Sequence, residues 1–153
     1  MNKMNKLKIT VLAVMVLFIA SLNNSANASG VGFINYKKIQ DSYTYAVDAA
    51  KEVDARALEL QQYLVDKEKE FKALDTPVKK KNFEDKTAKE FKDKQDSYLK
   101  FKATKEDDVY TKIQDAAKQI LIEQKLDAVV DFRVVFVGGM DITDLVVKKL
   151  NGK

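Results

Sequence analysis

The sequence predicts an α+β protein, mostly helical, in which a long antiparallel coiled-coil hairpin arm projects from a small β body. Apolar residues recur on an alternating three-and-four spacing from Tyr36 to Leu74, and no helix breaker other than Pro77 occurs before Gly138. Beyond Gln124 the helical periodicity gives way to short runs rich in valine. The first two patterns keep one helix face apolar over a long distance, and the third suits strands.

The chain starts with Lys3, Lys6 and Lys8, followed by an uncharged stretch from Ile9 to Leu22 and the small-residue site Ala26-Asn27-Ala28. A basic start, a short apolar run and a small-x-small site predict an export signal peptide over residues 1–28, cut between Ala28 and Ser29. The apolar run is shorter than the roughly 20 residues that span a bilayer. No cysteine follows it to carry a lipid anchor.

Removal of residues 1–28 takes away three lysines and no acids, so 27 basic and 23 acidic groups become 24 and 23, a formal charge of +1. That balance argues against nucleic acid as the main partner, which needs clustered positive charge. The absence of cysteine is compatible with an oxidising compartment. The absence of histidine removes the commonest general base and neutral metal ligand, excluding histidine triads and histidine-based zinc sites. No nucleophile–base pair, metal-ligand set or cofactor motif is present, so the expectation is a protein that is not an enzyme and carries no cofactor.

After the signal, Val31-Gly-Phe-Ile-Asn35 reads as a short strand whose last residue caps the next helix. The residues Tyr36, Ile39, Tyr43, Ala46, Ala50, Val53, Ala57, Leu60, Leu64, Phe71 and Leu74, interrupted only by Lys67, predict one continuous helix from about Tyr36 to Leu74. At ~1.5 Å per residue it would be about 55–60 Å long. Thr76 as N-cap and Pro77 as first helical residue predict a reversal and a second helix from about Val78 to Gln124. At the base of this hairpin Val109, Ile113, Ala116, Ala117, Ile120 and Leu121 face Ile39, Tyr43, Ala46 and Ala50. Toward the tip the apolar residues thin to Phe71, Phe83, Phe91, Tyr98 and Phe101, predicting a firm base and a loosely held tip.

Two strands are then expected, Leu126–Asp131 and Val134–Val137, with Phe132-Arg133 as the corner between them. Gly138-Gly139 permits a sharp turn, and Asp141 and Asp144 are placed to cap a helix through about Leu150. The chain after the signal, 29–153, thus divides into a body of 29–36 and 125–153 and an arm of 37–124. Three short strands and one short helix are too little to bury a stable core, so the strands are expected to associate with those of other copies.

The order of strand, long helical hairpin, paired strands and terminal helix resembles the Skp/OmpH family of periplasmic chaperones over essentially the whole chain after the signal. The best local matches are Val31-Gly-Phe-Ile-Asn35, Ala128-Val-Val-Asp131, Asp141-Ile-Thr-Asp144 and Lys149-Leu-Asn151. The resemblance implies a homotrimer with a barrel-like β body, from which three hairpins project around a cavity. It implies that unfolded outer-membrane proteins are held there in the periplasm without nucleotide. It places the trimer contact among Phe33, Ile34, Val129, Val130, Val135 and Val137. One departure is that the best-known chaperone of the family is strongly basic, whereas between Val65 and Tyr110 thirteen Lys face twelve Asp or Glu here. No lipopolysaccharide-binding residues carry over, and membrane contact is at most transient.

Several features admit two readings. Phe71, Phe83, Phe91, Tyr98 and Phe101 either offer apolar contacts to an unfolded client or hold the two arm helices together. Lys79-Lys80-Lys81 either steers acidic segments or is a solvated helix start with Glu84 and Asp85 a turn away. Gly138-Gly139 lacks the further glycine and lysine of a phosphate loop. Asp141 and Asp144 suit a helix start rather than acid–base chemistry. Glu106-Asp107-Asp108 lacks a calcium loop. The expected function is an ATP-independent holdase; the alternative is a structural or tethering coiled-coil protein of the cell envelope.

Overall fold

A computed structural model describes residues 30–152; the expected signal peptide and the Ala28–Ser29 cleavage site lie outside the described residues. Strand β1 (Gly30–Ile34) leads into helix α1 (Tyr36–Ser42), whose first turn is capped by Asn35: its Oδ1 accepts the Lys38 N–H at 3.0 Å. Helix α2 (Thr44–Lys72) forms the outgoing leg of the arm and α3 (Pro77–Glu123) the return leg. The reversal is built as its residues dictate. Thr76 Oγ1 accepts the Lys79 N–H at 3.3 Å, and Pro77 occupies the first turn, where a missing N–H costs nothing. With 47 residues, α3 is about 70 Å long. No helix among the described residues is both long and apolar enough to cross a membrane.

Lys125, at a φ of 54°, ends α3 and turns the chain into β2 (Leu126–Asp131). A single 3-10 turn, Phe132–Val134, follows, then the two-residue strand β3 (Met140–Asp141) and helix α4 (Thr143–Leu150). The sheet order is β2-β1-β3, and β3 runs parallel to β1 with Gly32 opposite Met140 and Phe33 opposite Asp141. Gly138 and Gly139 have φ of 81° and 91°, the left-handed region that glycine enters freely, so the expected sharp turn is where the sequence puts it. Gly32 serves a different purpose: a Cβ there would lie 2.7 Å from Leu126 Cδ1, so the Leu126 side chain would have to shift.

The core lies where the arm meets the body. Ile39, Tyr43, Ala46 and Ala49 of the outgoing leg meet Val109, Ile113, Ala116, Ala117 and Ile120 of the return leg, and Leu126, Ile142 and Val146 close it from the body. Helix α4 is fastened over this core. Thr143 Oγ1 accepts the Asn35 N–H at 3.0 Å, Lys38 pairs with Asp144 at 2.7 Å, and Lys149 pairs with Glu123.

Three expectations need correction. The first leg is not one helix: Tyr43 is extended (φ −86°, ψ 113°) and separates α1 from α2. Beyond this break Ala46, Val53, Ala57 and Leu60 keep the expected face, but Ala49 rather than Ala50 is buried, and Tyr63 rather than Leu64 is half-buried on the seam. The second correction concerns Val134–Val137, which is not a strand. Asp131 Oδ1 accepts the Arg133 N–H at 2.9 Å and winds the chain into the 3-10 turn, and β1 already has neighbours on both sides. A strand needs a ladder partner, and among the described residues this segment has none. Third, the cap of α4 is less direct than expected. Asp141 Oδ1 accepts the Thr143 N–H at 2.9 Å, but Ile142 occupies the N-cap position without a side-chain bond, and Asp144 serves as the first-turn acid.

Candidate functional site: the arm seam and the body face

The five aromatics singled out in the arm are all half-buried along the seam between α2 and α3. Phe71 and Phe83 meet across the reversal with ring centroids 6.2 Å apart at 44°. With Leu64, Ala88 and Phe91 they line a shallow apolar groove of about 330 Å³ near the tip. Tyr98 and Phe101 lie nearer the base and do not join that groove. Tyr98 instead borders a larger groove of about 610 Å³ with Ala46, Ala49, Ala50, Val53 and Val109.

Cations share the rest of the seam with the half-buried Val53, Ala57 and Leu60. The Arg56 guanidinium sits 3.6 Å from the centre of the Phe101 ring. Lys67 reaches over both Tyr63 and Phe83, and Lys80 lies over Phe71. The Tyr63 hydroxyl donates to Glu90 at 2.9 Å, and Lys105 pairs with Glu52 at 2.8 Å while covering Phe101. Exposed cation–π pairs contribute about 0.5–1 kcal/mol each, so many weak contacts hold the arm where a strict coiled coil would use a few strong ones. Sequence reasoning treated Lys67 as an interruption; its spacing from Tyr63 and Phe71 was the available signal that it belongs to the seam.

These contacts make the arm sensitive to acid. The Tyr63 hydroxyl, followed by Lys86 and Lys67, holds the Glu90 carboxyl below its ordinary range, and burial opposes this only in part. A carboxylate depressed in the folded state stabilises at neutral pH, and that contribution disappears as pH falls through the depressed value. Amide-exchange protection of residues 60–95, corrected for intrinsic rates, is therefore expected to fall on acidification through the carboxylate range. In Glu90→Gln the drop should be smaller, and an identical pH profile would contradict this assignment.

The body presents a second face. Phe33, Ile34, Val129, Val130 and Val135 are half-buried, whereas Val137 is largely exposed. Sequence reasoning passed over Val134 and Phe136, which are also exposed, Phe136 fully. Four successive apolar residues cannot all point to one side of a strand, and that alternation was the available signal. Beside them, Ile34, Tyr36, Tyr110, Ile113, Leu121 and Val129 line a groove of about 280 Å³. Among the described residues no group of three or more Asp or Glu side chains is placed to hold a metal ion.

These features define a helical-hairpin protein with a small three-stranded body. No family model matches the chain, and no curated protein matches it. Among solved structures it is similar to a protein of Caulobacter crescentus CB15 provisionally described as an OmpH-like outer membrane chaperone. The match covers 84% of this chain and 87% of that one, at 16% identity and a TM-score of 0.37.

Proposed function

We propose that the protein is a periplasmic, ATP-independent holdase that keeps unfolded outer-membrane proteins apart from one another, in a cavity between the arms of a homotrimer. The observation that carries this reading is the arm seam: Phe71, Phe83 and Phe91 line an open, shallow groove closed only by weak contacts. Such a surface offers adaptable apolar area to a chain without imposing one conformation on it. Because no single contact dominates, the client can leave again.

Association through the body is supported by the exposure of Val134, Phe136 and Val137 next to a sheet that has no further strand to add. Phe33, Ile34, Val129, Val130 and Val135 would be covered with them. The order of elements and the quoted motifs at both ends, which resemble the Skp/OmpH family, support the client class. Cleavage after Ala28 would release the chain into the periplasm.

The reading is tested by light scattering of urea-denatured outer-membrane β-barrel proteins diluted into the mature protein. Suppression of aggregation near one trimer per client is expected, and none at several-fold trimer excess would refute it. The tethering alternative draws on the specific pairs of the seam, Arg56 with Phe101 and Glu52 with Lys105, which favour a fixed arm docking on one defined partner. It predicts no suppression in the same assay.

A further inference from the structure

The break at Tyr43 is spanned by a residue from the far end of the chain. In an unbroken helix the Thr44 N–H would bond to the Gln40 carbonyl and the Ser42 carbonyl would accept from Ala46. At the break both are satisfied by Asn151, the residue that follows α4. Its Oδ1 accepts the Thr44 N–H and the Thr44 hydroxyl, each at 3.1 Å, and its Nδ2 donates to the Ser42 carbonyl at 3.0 Å. Only this orientation of the amide works, because the reverse would set N–H against N–H and oxygen against oxygen.

We infer that Tyr43 is a hinge in the outgoing leg of the arm and that Asn151 is the latch that sets its angle. Three features of the fold fit a hinge at this point. Helix α1 is bound to the body by Asn35, Ile39 and Lys38, so it cannot follow a movement of α2. Helix α3 runs unbroken past the break, so movement is confined to the one leg. The groove of about 610 Å³ runs across the hinge, from Gln40 and Asp41 of α1 to Ala50 and Val53 of α2 and on to Tyr98 and Lys102 of α3, and gives α2 room to shift against α3. Asn151 is thereby a positioning residue. It directly follows α4, which is held by the buried Ile142, Thr143 and Val146, so the body's last helix controls the direction in which the arm leaves.

This goes beyond client holding, and its test uses no client, so its outcome stands apart from the proposed function. The chain has no cysteine, so spin labels attach only at Glu59→Cys on α2 and Asp127→Cys in the body, diluted with unlabelled copies to isolate distances within one chain. In Asn151→Ala the distance distribution should broaden, and exchange of the Thr44 amide should accelerate by roughly three- to ten-fold, the effect of losing the acceptor of an exposed hydrogen bond. Exchange at Ile113 and Ala117 should stay unchanged. Asn151→Asp keeps the acceptor but loses the donor to Ser42, and should fall between the two. If Asn151→Ala loses the fold, Asn151→Asp decides the matter. A wild-type distance distribution and Thr44 exchange rate in the folded variants would overturn the latch.

Discussion

Replacing Ile113 by alanine should destabilise the chain 29–153 by about 2–5 kcal/mol, the range for truncating a fully buried aliphatic side chain. Ile113 is 1% exposed and lies in the cluster that joins both legs of the arm to Leu126, Ile142 and Val146 of the body. The cost combines lost transfer free energy with a cavity that the neighbouring alanines, Ala116 and Ala117, are too small to fill. Chemical denaturation at fixed protein concentration measures it; fixing concentration matters because association adds to apparent stability. Phe101→Ala in the arm is the useful contrast. Its ring is half-buried and held mainly by Arg56 and Lys105, so the loss should be smaller. A loss below about 1 kcal/mol for Ile113→Ala would mean that the base of the arm is not the core.

The double substitution Phe136→Asp with Val137→Asp should convert the proposed trimer to single chains. Phe136 is fully exposed and Val137 nearly so, so neither supports the fold of one chain and any effect reports on association. Burying a phenylalanine contributes about 1.5–3 kcal/mol, and three symmetric contacts multiply that figure. With about 1.4 kcal/mol per ten-fold in affinity, the association constant should fall by roughly a thousand-fold or more. Sedimentation of the wild type and the variant at micromolar concentration gives the answer. An unchanged mass would remove residues 134–137 from the interface.

The same region shows why part of the fold was legible in the sequence and part was not. Asn35, Thr76, Pro77 and the Gly138-Gly139 pair act through their own backbone and the next few residues, so their roles follow from local chemistry. The break at Tyr43 does not. No glycine or proline stands there, and the groups it exposes are satisfied by Asn151, more than a hundred residues away in the chain. Val134–Val137 has strand composition, but composition does not supply a neighbour, and within one chain Asp131 and Arg133 direct the segment into a turn instead.

In the candidate site, the aromatics were found from their spacing, because spacing fixes the helix face. What holds them was not found. The partners of Phe101 and Phe83 are cations, and a lysine or arginine on a seam reads as an interruption until its aliphatic stem is seen to lie along the apolar face. A heptad reading also placed Ala50 and Leu64 inward, where the structure puts Ala49 and Tyr63, while Val53, Ala57 and Leu60 lie on the seam as the spacing places them.

Native mass spectrometry of the chain 29–153, mixed with an unfolded outer-membrane β-barrel protein as its denaturant is diluted away, most directly tests the claim that joined bodies hold a client between their arms. Three chains bound to one client is the predicted species, with three chains alone when the client is omitted. A single chain under both conditions, or a trimer that retains no client, would contradict the account.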